Sequence, residues 1–95
     1  MTHNWIARVY RFEKGTEVET IKRVGESLMR LGYGTMPYPE SASDIPRGIK
    51  VGIAEPEDRL SRESALESLN RVFKMVAKDN GLKYSVGQVV RIKTG

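Results

Sequence analysis

The sequence predicts an α+β protein, a two-layer sandwich in the order strand, helix, strand, strand, helix, strand. Three observations lead there. Two stretches repeat apolar residues at helical spacing. Other stretches alternate at strand spacing. The closely spaced Pro37 and Pro39 fall in the weakest of the strands, where a sheet edge tolerates them.

The first strand is Trp5-Ile6-Ala7-Arg8-Val9-Tyr10-Arg11-Phe12, closed by the turn Glu13-Lys14-Gly15. Thr16-Glu17-Val18-Glu19 has capping-box spacing, which predicts Thr16 as the N-cap of a first helix. Val18, Ile21, Val24, Leu28 and Leu31 then form one apolar stripe at steps of three and four. Gly25 beside that stripe costs about 1 kcal/mol of helix propensity relative to alanine, and a close approach to a neighbour would justify it. Gly32 supplies a left-handed cap with Tyr33 after it, ending the helix near Leu31.

Gly34-Thr35-Met36-Pro37-Tyr38-Pro39 is extended, and its prolines make it an edge strand. Residues 40–46 are turn-rich. Arg47 to Ala54 alternates without proline, with Ile49, Val51 and Ile53 on one face and Gly48, Lys50, Gly52 and Ala54 on the other, as an interior strand does. The second helix could begin around Pro56 or at Ser61; Ser61 or Ser64 is preferred as its firm start, since Ser64-Ala65-Leu66-Glu67 has capping-box spacing. Leu66, Leu69, Phe73 and Val76 give its apolar stripe, Glu67 and Arg71 stand one turn apart, and Asn80-Gly81-Leu82 ends it as Gly32-Tyr33 ends the first. Tyr84 to Lys93 reads as a last strand, with Val86, Val90 and Ile92 inward, Val89, Arg91 and Lys93 outward, and a bulge at Gly87-Gln88.

Two right-handed helix crossovers joining neighbouring parallel strands turn this order into the split βαβ or ferredoxin-like βαββαβ sandwich with an antiparallel four-stranded sheet. Its first and third strands are central, its second and fourth are edges, and both helices cover one face. The 95 residues suffice for one such domain and one modest core.

Composition narrows the function. The absence of cysteine excludes disulfides, thiolate nucleophiles and cysteine-based metal sites. No apolar run reaches the roughly 18–20 residues that cross a bilayer, and Met1-Thr2-His3-Asn4-Trp5-Ile6 lacks the basic-then-apolar layout of a signal peptide. A cytoplasmic protein without membrane contact is expected. A formal charge of +4 favours polyanionic partners.

Two registers are open to the first strand. One turns Trp5, Ala7 and Val9 to the helices and Ile6, Arg8, Tyr10 and Phe12 outward; the other places Arg8 beneath the helices. An unpaired buried charge costs several kcal/mol, so the first is preferred. The open face then carries Arg8, Tyr10, Phe12, Lys50, Arg91 and Lys93, with Gly48 and Gly52 leaving low ground between them. Cations with exposed rings suit single-stranded RNA or DNA, through phosphate contacts and base stacking. The same face could equally serve a protein partner or a homodimer, a reading the other register favours because Trp5, Ala7 and Val9 would form an outward apolar patch.

Arg47-Gly48 resembles the opening of the third-strand pattern of the RNA-recognition motif, whose topology is the same. Ile49 and Val51 stand where that family has aromatics, so the resemblance is one of architecture.

Other candidates are weaker. His3 is the only histidine and lacks the companion ligands a metal needs. Glu55, Glu57 and Asp58 could meet a hard cation, though such turns are usually solvated helix starts. Lys14-Gly15-Thr16 lacks a phosphate-loop pattern, and Glu17 and Glu19 would repel an anion. Arg71, Lys74, Lys78 and Lys83 form a basic stripe, and the loop 36–46 could gate or dock a ligand. The expected protein is a non-enzymatic binding domain without cofactor or metal.

Overall fold

The computed structural model describes residues 3–38 and 47–94, without the side chains of 3, 38, 93 and 94. Most of the loop 36–46 therefore lies outside the described residues. The elements are β1 (His3–Phe12), α1 (Val18–Arg30), β2 (Gly34–Tyr38), β3 (Gly48–Ala54), α2 (Arg59–Asp79) and β4 (Tyr84–Thr94). The sheet runs β2-β3-β1-β4, and every neighbouring pair is antiparallel. As the prolines predicted, β1 and β3 are central, and β2, which carries Pro37, is an edge. One detail differs. The strands joined by each helix are not neighbours: β3 lies between β1 and β2, and β1 lies between β3 and β4, the split βαβ connection.

Both helices end as the glycines require. Gly32 and Gly81 have φ of 97° and 65°, a region open to glycine at no steric cost. In α1 the Gly32 and Tyr33 amides bond back to the Met29 and Leu28 carbonyls, and in α2 those of Gly81 and Leu82 bond to Lys78 and Ala77. This is the Schellman arrangement. The starts differ from expectation. Glu17 caps α1 without a side-chain bond, while the Thr16 hydroxyl donates to the Glu13 carbonyl at 2.6 Å. The predicted capping box yields to this local turn. In α2, Asp58 is the N-cap and accepts from the Ser61 amide at 2.8 Å, so the helix begins ahead of both expected serines.

The register of β1 is the opposite of the preferred one. Ile6, Tyr10 and Phe12 lie against the helices, buried together with Ile49 and Val51 of β3, Ile21, Val24 and Leu28 of α1, and Leu69, Phe73, Val76 and Ala77 of α2. Tyr10 stacks on Phe73 with ring centroids 3.7 Å apart and planes 6° from parallel. Ile6, Tyr10 and Phe12 together bring more apolar volume to the core than Trp5, Ala7 and Val9 could, and aromatic burial dominates such ledgers. Arg8 shares this face but is only half-buried, so the feared penalty is partly avoided.

On β4 the bulge is real and has a consequence. Val89 pairs with Arg8 and Val86 with Tyr10, leaving Gly87 and Gln88 to oppose Val9. The extra residue reverses the alternation. Val86, Val89 and Arg91 therefore share the helix side with Tyr10, Arg8 and Ile6, while Val90 and Ile92 pair with Ala7 and Trp5 on the open side. Val90 and Ile92 had been expected inward, and Val89 and Arg91 outward.

Candidate functional site

Of the six residues expected on the open face, five have described side chains, and only Lys50 lies there. Tyr10 has no exposed surface and Phe12 is 7% exposed, so neither ring can stack on a base. The Tyr10 hydroxyl donates to Asn70 Oδ1 at 2.6 Å. Burial holds this phenol well above the ordinary tyrosine range, an effect the nearby Arg8 charge opposes. Arg8 itself lies on the helix side, its Nε buried without an acceptor. Arg91 is also on the helix side and holds the Glu55 carboxylate with Nη2 at 2.9 Å and Nε at 3.1 Å. Arg62 Nε approaches the same Glu55 oxygen at 3.3 Å, out of hydrogen-bonding alignment. Lys93 pairs with Asn4 through its backbone, and its side chain lies outside the described residues.

Two arginines thus gather at Glu55 where α2 begins: Arg91, one of the misplaced cations, and Arg62. Arg8 and Arg91 sit diagonally on adjacent strands, and the N-terminal turns of α2 bring Arg62 rather than an apolar side chain to Glu55. The Glu55 side chain is 9% exposed. Its buried charge is matched by Arg62 and by the largely exposed Arg91.

The open face is apolar. A groove of about 270 Å³ is lined by Trp5, Ala7, Met36, Lys50 and Ile92 over the glycines 34 and 52. The two glycines face each other across β2 and β3. A Cβ on Gly52 would lie 3.7 Å from the Trp5 ring, and one on Gly34 would lie 3.9 Å from it. The indole therefore lies across the low ground these residues leave. Trp5 and Ile92 are half-buried and Met36 is 43% exposed, whereas Ala7 and Val9 are covered. Among the described strand positions on this face, the charged residues are Arg11 and Lys50; no carboxylate is among them.

Sequence reasoning turned Trp5 outward only in the register it did not prefer, and missed Met36 and Ile92 as the surface. Two signals pointed to them: the greater apolar volume of the Ile6, Tyr10, Phe12 set, and the parity reversal that a bulge at Gly87-Gln88 imposes on Val90 and Ile92.

A second apolar groove, of about 210 Å³, runs between α1 and β2, lined by Val18, Ile21, Gly25, Met29, Pro37 and Ile49, among others. Gly25 forms its floor: a Cβ there would sit 3.3 Å from Ile49 Cδ1 and 3.5 Å from Thr35 Oγ1. This is the close approach its helix position implied.

The remaining candidates separate. The Glu55 carboxylate turns to the two arginines, and the Asp58 carboxyl is held below its ordinary range by its bonds from Ser61, so the pair does not converge. Among the described residues no three His, Cys, Asp or Glu side chains gather as a metal site would require. Arg71 pairs with Glu67 at 3.8 Å on the exposed face of α2, and the side chain of His3 lies outside the described residues. No helix among the described residues is long and apolar enough to cross a membrane. No protein family, curated protein or solved structure matches the chain, so the face is read from its own chemistry.

Proposed function

We propose that this protein is a non-enzymatic protein-interaction domain whose contact surface is the open face of the sheet around Trp5. The observation that supports this is the register of β1, which sends Trp5 outward to join Met36 and Ile92 over a glycine floor. Exposed apolar surface of this kind marks contact sites on small domains, and tryptophan and methionine are enriched at the centres of protein interfaces. Against an enzyme stands the residue inventory: no cysteine, and a single histidine, His3.

Single-stranded nucleic acid has less to hold it on this face. It would need a track of cations and rings to stack on, yet Tyr10 and Phe12 belong to the core and Arg91 to Glu55.

The test is a photoreactive amino acid placed at position 36 or 92 of the full chain in its cells, with Lys74 on the exposed side of α2 as the control. The expected result is adducts from 36 and 92, resistant to nuclease and sensitive to protease, and absent from 74. An adduct of twice the chain's mass would name a second copy as the partner. Nuclease-sensitive adducts, or equal labelling from position 74, would overturn the proposal.

A further inference from the structure

We infer that β2 accepts an extended segment of the partner protein as a fifth strand, an inference that rests on the open-face reading and names the form of the partner. Backbone chemistry carries it. The Phe12 amide donates to the Arg47 carbonyl at 2.9 Å and the Glu55 amide to Asn4 at 3.0 Å. These bonds fix the phase of the β1–β3 ladder, so Ile49, Val51 and Ile53 turn their peptide groups to β1 and the residues between them turn to β2. Gly48, Lys50 and Gly52 therefore bond to Tyr38, Met36 and Gly34. Thr35 and Pro37 point the other way, to an edge that no other described strand covers. Pro37 has no N–H to leave unsatisfied, and Thr35 presents both an N–H and a C=O.

An incoming strand can exchange both bonds with Thr35 and donate one more to the Pro37 carbonyl. Side chains of paired residues share a face. The partner residue opposite Thr35 would enter the groove between α1 and β2, against Ile21, Met29 and Ile49. Its two neighbours would fall on the open side, one beside Met36 and the other over Gly34, where no side chain separates it from the Trp5 ring. An edge whose two faces both carry an apolar groove is the layout for strand addition: main-chain bonds give affinity, and pockets for alternate side chains give specificity. Lys22 and Glu26 both line the groove between α1 and β2, Lys50 lines the other, and both grooves include Met36, so the partner is recognised by its alternating apolar side chains. The opposite edge is less suited, because β4 is bulged and carries Arg91 and Lys93, features that discourage pairing.

The experiment selects a phage-displayed library of random heptapeptides on the full chain and studies one synthetic representative. Selected peptides should alternate apolar residues. The representative should change the emission of Trp5, the only tryptophan, and protect the Thr35 amide from hydrogen exchange. Thr35→Pro, which removes the donor, should weaken binding about tenfold. Should that variant unfold, Gly34→Val decides together with the exchange data: its Cβ meets nothing closer than 3.9 Å, yet the longer side chain fills the open-face groove and should also weaken binding. A peptide that alters Trp5 emission but leaves Thr35 unprotected would overturn strand addition and leave the open-face reading standing. So would an empty selection alongside crosslinks at position 36. An empty selection without those crosslinks would remove both.

Discussion

The Tyr10 ring lies against Phe73, and its hydroxyl reaches Asn70 on α2. Tyr10→Phe keeps the stack and leaves Asn70 Oδ1 without its donor, so stability should fall by about 1–2 kcal/mol in urea denaturation; Tyr10→Ala also opens a cavity and should cost about 3–5 kcal/mol. The raised phenol pKa adds a pH signature. At high pH the unfolded chain ionises Tyr10 while the folded chain keeps its proton, so stability is fully present below about pH 10 and falls above it. Urea midpoints measured through that range should drop in the wild type and drop less in Tyr10→Phe. Arg8 gives the opposite kind of test. Its buried Nε has no acceptor, so Arg8→Met, of similar reach, should leave the urea midpoint unchanged or raised; a clear fall would mean the guanidinium is stabilising. This is also where the sequence misled. One arginine was weighed as a full buried charge, when half-burial makes it cheaper than turning Ile6, Tyr10 and Phe12 to water.

Helix ends and sheet edges were legible because single residues dictate them: Gly32 and Gly81 through positive φ, Pro37 through its missing donor. The faces of β4 were not, because alternation was read straight through a bulge that reverses it. The cap of α1 was misread for a related reason, since Thr16 can satisfy a turn as readily as a cap. Two glycines test how closely the elements approach. At Gly48 an added Cβ would collide with the Tyr10 carbonyl oxygen, so Gly48→Ala must move the backbone of a central strand and should cost about 1–3 kcal/mol or more. At Gly25 the contact is the flexible tip of Ile49, and alanine regains about 1 kcal/mol of helix propensity; Gly25→Ala should stay within about 1 kcal/mol of wild type. Equal losses at both positions, read from urea midpoints, would mean α1 packs on the sheet as tightly as the strands pack on each other.

For the molecule as a whole, the distribution of charge matters more than its sum. The excess of +4 suggested a polyanion, but Arg8 and Arg91 are withdrawn to the helix side and Arg71 is paired on α2. What is left around the open-face groove is a largely apolar surface lined by one cation, Lys50. Salt dependence separates the two kinds of partner. A protein making 6–10 phosphate contacts loses roughly 10³–10⁵ in affinity between about 50 and 200 mM salt, whereas a single neutralised charge changes it by only about fourfold. The partner captured at position 36 or 92 should therefore bind with at most that smaller change, measured by titrating Trp5 emission at the two salt concentrations. Apolar contact is also strengthened by excluded salts such as sulfate, so adding sulfate should hold or tighten the complex. A thousandfold loss would mean that cations elsewhere on the chain track a polyanion, and that the Trp5 groove is not what holds the partner.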